Sequence, residues 1–81
     1  MKEQRFLLVD GDSLRRLRLE HRLRQSDVAS VAGIDTSYLS LLETGRRRRA
    51  SLAVARRLAE ALAVEVTEVA VKERQLPSTG G

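Results

Sequence analysis

Four consecutive arginines, Arg46, Arg47, Arg48 and Arg49, follow directly on residues 25–45, "QSDVASVAGIDTSYLSLLETG". A guanidinium is planar, always charged, and offers a fork of donors that matches a phosphate or the edge of a guanine. Four in a row are therefore a candidate polyanion contact, set against the ordinary reading of a charge run as solvated surface. Other side chains able to do chemistry are few. There is no cysteine and His21 is the single histidine, so no thiolate site or disulfide is available and a metal site at His21 lacks a second imidazole. No serine–histidine–acid grouping and no glycine-rich phosphate loop is evident, which argues against an enzyme. Phe6 and Tyr38 are the two aromatics, too few to stack a single-stranded nucleic acid.

The elements that must position the arginines follow from patterning. At 81 residues the chain reads as one domain, of a size whose core supplies only about 3–5 kcal/mol. Net charge is +4 and unevenly spread: residues 13–57 hold eleven arginines, while residues 64–73 are net acidic. Residues 6–9, "FLLV", closed by Asp10-Gly11, predict a short strand in an N-terminal arm of residues 1–12, with a frayed helix as the alternative. Asp12 or Ser13 is placed to cap a first helix carrying Leu14 and Leu17 and ending near His21 or Arg22. A second helix spans residues 25–32, with Val28, Ala29 and Ala32 on one face and Gly33 to end it. Asp35 or Thr36 caps a third, whose Leu39 and Leu42 point inward and which Gly45 closes. Ser51 caps a fourth, with Leu52, Ala55, Leu58, Ala59 and Leu62 as its apolar stripe.

The expected fold class is thus all-α, a compact four- to five-helix bundle over residues 13–63 with short N- and C-terminal β-strands as possible additions. Residues 64–75 alternate valine in a way that suits a strand, for which residues 6–9 are the obvious partner, within the chain or across a dimer. A short fifth helix around residues 67–70 is the alternative. Residues 76–81, "LPSTGG", contain the L-P-x-T-G sortase pattern without a signal peptide, following apolar segment or basic tail, and read as a tag or a coincidence. No stretch approaches the ~20 apolar residues of a membrane span. A cytoplasmic protein with no membrane partner is expected.

Residues 25–42 meet the demands of a helix-turn-helix. Two helices that cross through a tight turn need a small residue at the closest approach (Ala29), a turn residue able to take positive φ (Gly33), and inward apolar anchors on the second helix (Leu39, Leu42). With "LRRLRLEHRLRQ" before it and "LAVARRLAEALAV" after it, this stretch resembles the Cro/C1-type (XRE) helix-turn-helix family over residues 14–69. The resemblance implies a lambda-repressor-like fold and a sequence-specific transcriptional regulator of double-stranded DNA, a homodimeric repressor reading the major groove with its third helix, without catalysis or cofactor. It implies a structural ion pair between Arg18 and Glu43. Thr36, Ser37, Ser40 and Leu41 would face the bases, while Gln25, Tyr38, Arg46, Arg47, Arg48 and Arg49 would meet phosphates. One recognition helix reads too few base pairs to be selective, hence the expected homodimer. With no room for an effector domain, repression by occlusion is the simpler expectation; a small-molecule effector is not expected.

The chain departs from the family at several positions. Arg22 stands where a glycine often ends the first helix, Arg24 where a Ser or Thr caps the second, and Ala63 where a glycine often ends the fourth. Leu41 occupies a position often held by a long base-reading side chain, so the reading face offers hydroxyls and an apolar contact for thymine methyls. Specificity would then lean on the arginines, on DNA shape or on water. The same shortage keeps a second reading open: a protein-interaction module, adaptor or antitoxin-like, that keeps the fold without reading DNA.

Overall fold

The computed structural model describes residues 5–72. Its order is a strand β1 (Phe6–Leu8), helices α1 (Gly11–Glu20), α2 (Gln25–Ala32) and α3 (Thr36–Thr44), a strand β2 (Arg49–Ser51), helix α4 (Leu52–Ala61) and a single 3-10 turn, Val66–Glu68. The four-helix, helix-turn-helix expectation holds, with a two-stranded antiparallel sheet added to it.

The core is built from the predicted inward faces. Leu14 and Leu17 of α1, Val28, Ala29 and Ala32 of α2, Leu39 and Leu42 of α3, and Leu58 with Leu62 from α4 and its end are all buried in one cluster. Val9 and Val69, from the two flanking segments, are buried in the same cluster. The arm and tail therefore share one core with the helical unit.

Helix ends explain why the elements stop where they do. After α2, Gly33 adopts φ +72°, with Gly33 N–H donating to Ser30 and Ile34 N–H to Ala29. This paired closure satisfies carbonyls that the helix leaves open, and glycine enters the left-handed region without a Cβ penalty. The identical bonding closes α1, from Arg22 to Leu19 and Leu23 to Arg18, and α4, from Ala63 to Glu60 and Val64 to Ala59. There the left-handed residues are Arg22 (φ +57°) and Ala63 (φ +58°). Both hold a conformation that costs an L-residue roughly 1–2 kcal/mol. The same closure is thus made at Arg22 and Ala63 without a glycine.

Several expectations need correction. Asp10, and neither Asp12 nor Ser13, caps α1: its carboxylate accepts the Ser13 N–H at 3.2 Å, and the helix starts at Gly11. A Cβ on Gly11 would overlap the Leu42 carbonyl oxygen and come within 2.7 Å of that of Glu43. A glycine that reads as a turn signal is in fact what lets α1 begin against the end of α3. Residues 6–8 do form a strand, but their ladder partner is Arg49–Ser51, in the register Phe6↔Ser51, Leu7↔Ala50, Leu8↔Arg49. Within residues 64–72, the described part of the valine-rich tail, there is neither a strand nor an α-helix. This segment makes the 3-10 turn and one antiparallel bridge, Val9↔Ala70, flanked by bonds from Asp10 N–H to Val69 and from Val71 N–H to Leu8. The valine alternation changes phase at Thr67-Glu68, and the turn sits there. The sortase-like residues 76–81 lie outside the described residues.

Candidate nucleic-acid interface

α3 is held by its buried side and displays the other. On the buried side, Arg18 of α1 (8% exposed) meets Glu43 (5% exposed) in a two-bond fork, Nε to Oε2 at 2.6 Å and Nη2 to Oε1 at 3.0 Å. The hydrogen bond to Glu43 and its charge raise the Arg18 pKa above its ordinary value, against the opposing effect of burial, so the cation is secure at any working pH. Arg18 also donates from Nη1 to the Leu23 carbonyl at 2.9 Å, just past the left-handed Arg22, and Gln25 Nε2 donates to Glu43 Oε1 at 3.0 Å. One buried network therefore ties α1, the α1–α2 turn, the start of α2 and the end of α3. Among the described residues no buried side-chain polar atom lacks a partner, as a buried ion pair requires if it is not to destabilise.

The open side carries the residues assigned to bases. Thr36, Ser37 and Leu41 are exposed and Ser40 is half-buried. They share a face because positions three and four apart align on a helix. Leu41, 38% exposed, is an apolar side chain left in water on that face.

Tyr38 and all four arginines of the loop line one open depression of about 540 Å³, together with Phe6, Ala50 and Ser51. Arg46, Arg47, Arg48 and Arg49 are exposed and Tyr38 is half-buried. The arginines are not equivalent. The Arg47 guanidinium lies over the Tyr38 ring, 5.4 Å from its centroid, and that of Arg49 over the Phe6 ring at 5.2 Å. Arg46 and Arg48 have no ring or carboxylate partner among the described residues. The last arginine of the run is the first residue of β2, which places Arg49 on the same face of the sheet as Phe6.

Gln25 is more committed than the sequence suggests. One amide hydrogen goes to Glu43, and the second is what remains for a phosphate. At the start of α2, Arg24 cannot accept a hydrogen bond as a Ser or Thr would. Asp27 compensates from three residues on by accepting the Arg24 backbone N–H at 2.9 Å, with the Arg24 guanidinium at 3.3 Å. Those bonds, the backbone one foremost, hold the Asp27 carboxyl below the usual carboxylate range. Phe6 is the residue that reading the sequence missed. Its signal, an aromatic in a strand facing an arginine, exists only once the β1–β2 register is known. No group of three or more His, Cys, Asp or Glu among the described residues is placed to hold a metal ion. No described helix is long and apolar enough to cross a membrane.

The comparisons agree with this geometry. A family model described as a helix-turn-helix domain matches residues 11–71. The restriction-modification controller protein C.AhdI from Aeromonas hydrophila is 40% identical, over 72% of this chain and 86% of that one, with a TM-score of 0.67. The N-terminal DNA-binding domain of SinR from Bacillus subtilis is 25% identical over 80% of this chain and 94% of that one, with a TM-score of 0.71. A hydroxyethylphosphonate dioxygenase, 25% identical with a TM-score of 0.69, is matched over 15% of its length, so the likeness lies with one part of that enzyme. Comparison with curated proteins gives no match. On the family match and the controller-protein likeness, this chain belongs to the helix-turn-helix family of Cro/C1 (XRE) type, the fold of DNA-binding transcription regulators.

Proposed function

We propose that this protein is a sequence-specific regulator of double-stranded DNA, a cytoplasmic homodimeric repressor whose α3 enters the major groove. In this reading Thr36, Ser37, Ser40 and Leu41 face base edges, while Gln25, Tyr38 and Arg46 to Arg49 hold phosphates. Residues 13–63 form the DNA-binding unit and residues 64–75 contribute to the contact between subunits. The observation that carries the reading is the depression in which Tyr38 of α3 meets four exposed arginines. A groove-bound helix needs cationic contacts on the flanking backbone, and phosphates supply most of the affinity in such complexes. SinR, a master regulator of biofilm formation, has been seen in complex with DNA, which favours the same use of the fold here.

The test is selection from randomised duplex DNA at near-physiological salt, followed by sequencing of what is retained. An inverted repeat is expected, and its spacing gives the separation of the two recognition helices. Retention without a motif would leave a backbone binder with a silent reading face. No retention would overturn DNA binding and move the search to protein partners.

A further inference from the structure

Phe6 is 54% exposed on a three-residue strand, an unfavourable place for a phenyl ring unless something uses it. The register explains what does. Phe6 pairs with Ser51 and Leu8 with Arg49, and residues opposite one another across a ladder project to the same face. Phe6 and Arg49 are therefore diagonal neighbours on the outward face of the sheet, and the guanidinium sits 5.2 Å from the ring centroid, well within the range of a cation–π contact. Ala50, between them in β2, is buried, which pins this stretch of the arginine run while its neighbours stay free. The ring also lines the depression that holds Tyr38 and the other arginines.

On this basis, and resting on the proposed function, we infer that the DNA-backbone path extends off α3 across the outward face of the β1–β2 sheet, with Phe6 the positioning residue that holds Arg49 as a phosphate clamp. The pair repeats at the sheet what Arg47 and Tyr38 do at the helix. A stacked guanidinium keeps its N–H edges free while losing rotamer freedom in advance. The entropic cost of fixing a long side chain on a phosphate is met before DNA arrives. The clamp discriminates little between sequences, since phosphate contacts set register and orientation.

The experiment measures binding of a random-sequence duplex of about 20 base pairs at several salt concentrations between about 50 and 200 mM, for wild type, Phe6→Leu, Phe6→Trp, Arg49→Ala and Phe6→Leu/Arg49→Ala. Phe6→Leu keeps an apolar side chain on the strand and removes the π face. It is expected to weaken binding about two- to five-fold and to lower the salt slope by up to about one unit, the value of one phosphate. Phe6→Trp is expected to bind as wild type does, and the double variant to bind no worse than Arg49→Ala alone. A melting temperature for each variant separates these effects from loss of fold. Salt-dependent binding by wild type with an unchanged slope in Phe6→Leu, or additive losses in the double variant, would overturn the clamp and leave the proposed function standing. Wild-type protein that ignores duplex DNA would overturn both.

Discussion

The arginines on the two sides of α3 are built on opposite terms. Arg18 is enclosed, bonded at three nitrogens to Glu43 and the Leu23 carbonyl, and it cannot reach a ligand. Arg46 to Arg49 are exposed, meet no carboxylate among the described residues, and rest at most on an aromatic face. One residue type serves as scaffold in one place and as available charge in the other, and what separates the roles is whether an acceptor is supplied inside the protein. A charge whose acceptors are all internal contributes to stability. A charge left without one is solvated, close to neutral for stability, and open to a partner.

The largest effect should come from breaking the enclosed side. Glu43→Ala leaves Arg18 buried without its counter-charge and frees Gln25 from its acceptor, a change expected to cost about 3–5 kcal/mol. That is comparable with everything a core of this size supplies, so the variant should be largely unfolded by circular dichroism at room temperature. Arg18→Met/Glu43→Leu, which removes both charges and keeps volume, should refold to near wild-type stability. Equal damage in the single and double variants would show that packing, and not the uncompensated charge, is what matters here.

On the open side the same kind of change should leave the fold alone. Arg46→Ala/Arg48→Ala removes the two arginines without an aromatic support. Its melting temperature should match wild type, while the salt dependence of duplex binding should lose about two units of slope. A fall in stability together with unchanged binding would invert the comparison.

How much of this was legible beforehand follows the same division. The buried side could be read because its requirements are local and repetitive: leucines and alanines at helical spacing, Gly33 and Gly45 at the ends, Ser51 accepting from Val54 at the start of α4. The Arg18–Glu43 pair, separated by 25 residues, was accessible through the family pattern and would not have come from spacing alone. The open side could not be read so well. β2 is three residues long, and none of them, Arg49, Ala50 or Ser51, carries a strand signal; its existence depends on non-local pairing with β1. Phe6 meets Arg49 through that register, which no pattern within residues 1–12 contains. Asp10 and Asp12 are equally good caps by type, and the choice between them is made by how closely Gly11 lets α1 approach α3.

The turn that Arg18 pins sharpens the contrast in a third way. Arg22 holds φ +57° although its side chain has no bonding partner among the described residues, so the left-handed position is imposed by the closure of α1. Arg22→Gly should relieve that strain and lose only part of the gain to chain entropy. The net stabilisation is up to about 1 kcal/mol, or roughly 4–8 °C in melting temperature at this size. A destabilised Arg22→Gly would mean that the exposed guanidinium makes a contribution of its own.

The smallest effect tests a pair that lies between the two extremes. Arg24 and Asp27 are bonded like Arg18 and Glu43, but at the surface, with the Asp27 carboxylate closing the start of α2. Its pKa is lowered in the folded state, chiefly by the Arg24 backbone N–H. A carboxyl lowered on folding contributes stability above its unfolded pKa and loses that contribution as pH falls through the folded value. Asp27→Asn keeps an acceptor for the N–H and removes the charge, so it should be slightly less stable than wild type at neutral pH. Urea midpoints across a pH series should show that gap closing in the acid carboxylate range. A gap that persists unchanged to low pH would mean the amide fails as a cap for geometric reasons. The charge of this exposed pair would then count for nothing, and enclosure alone would separate the ion pairs that hold this protein together from those that do not.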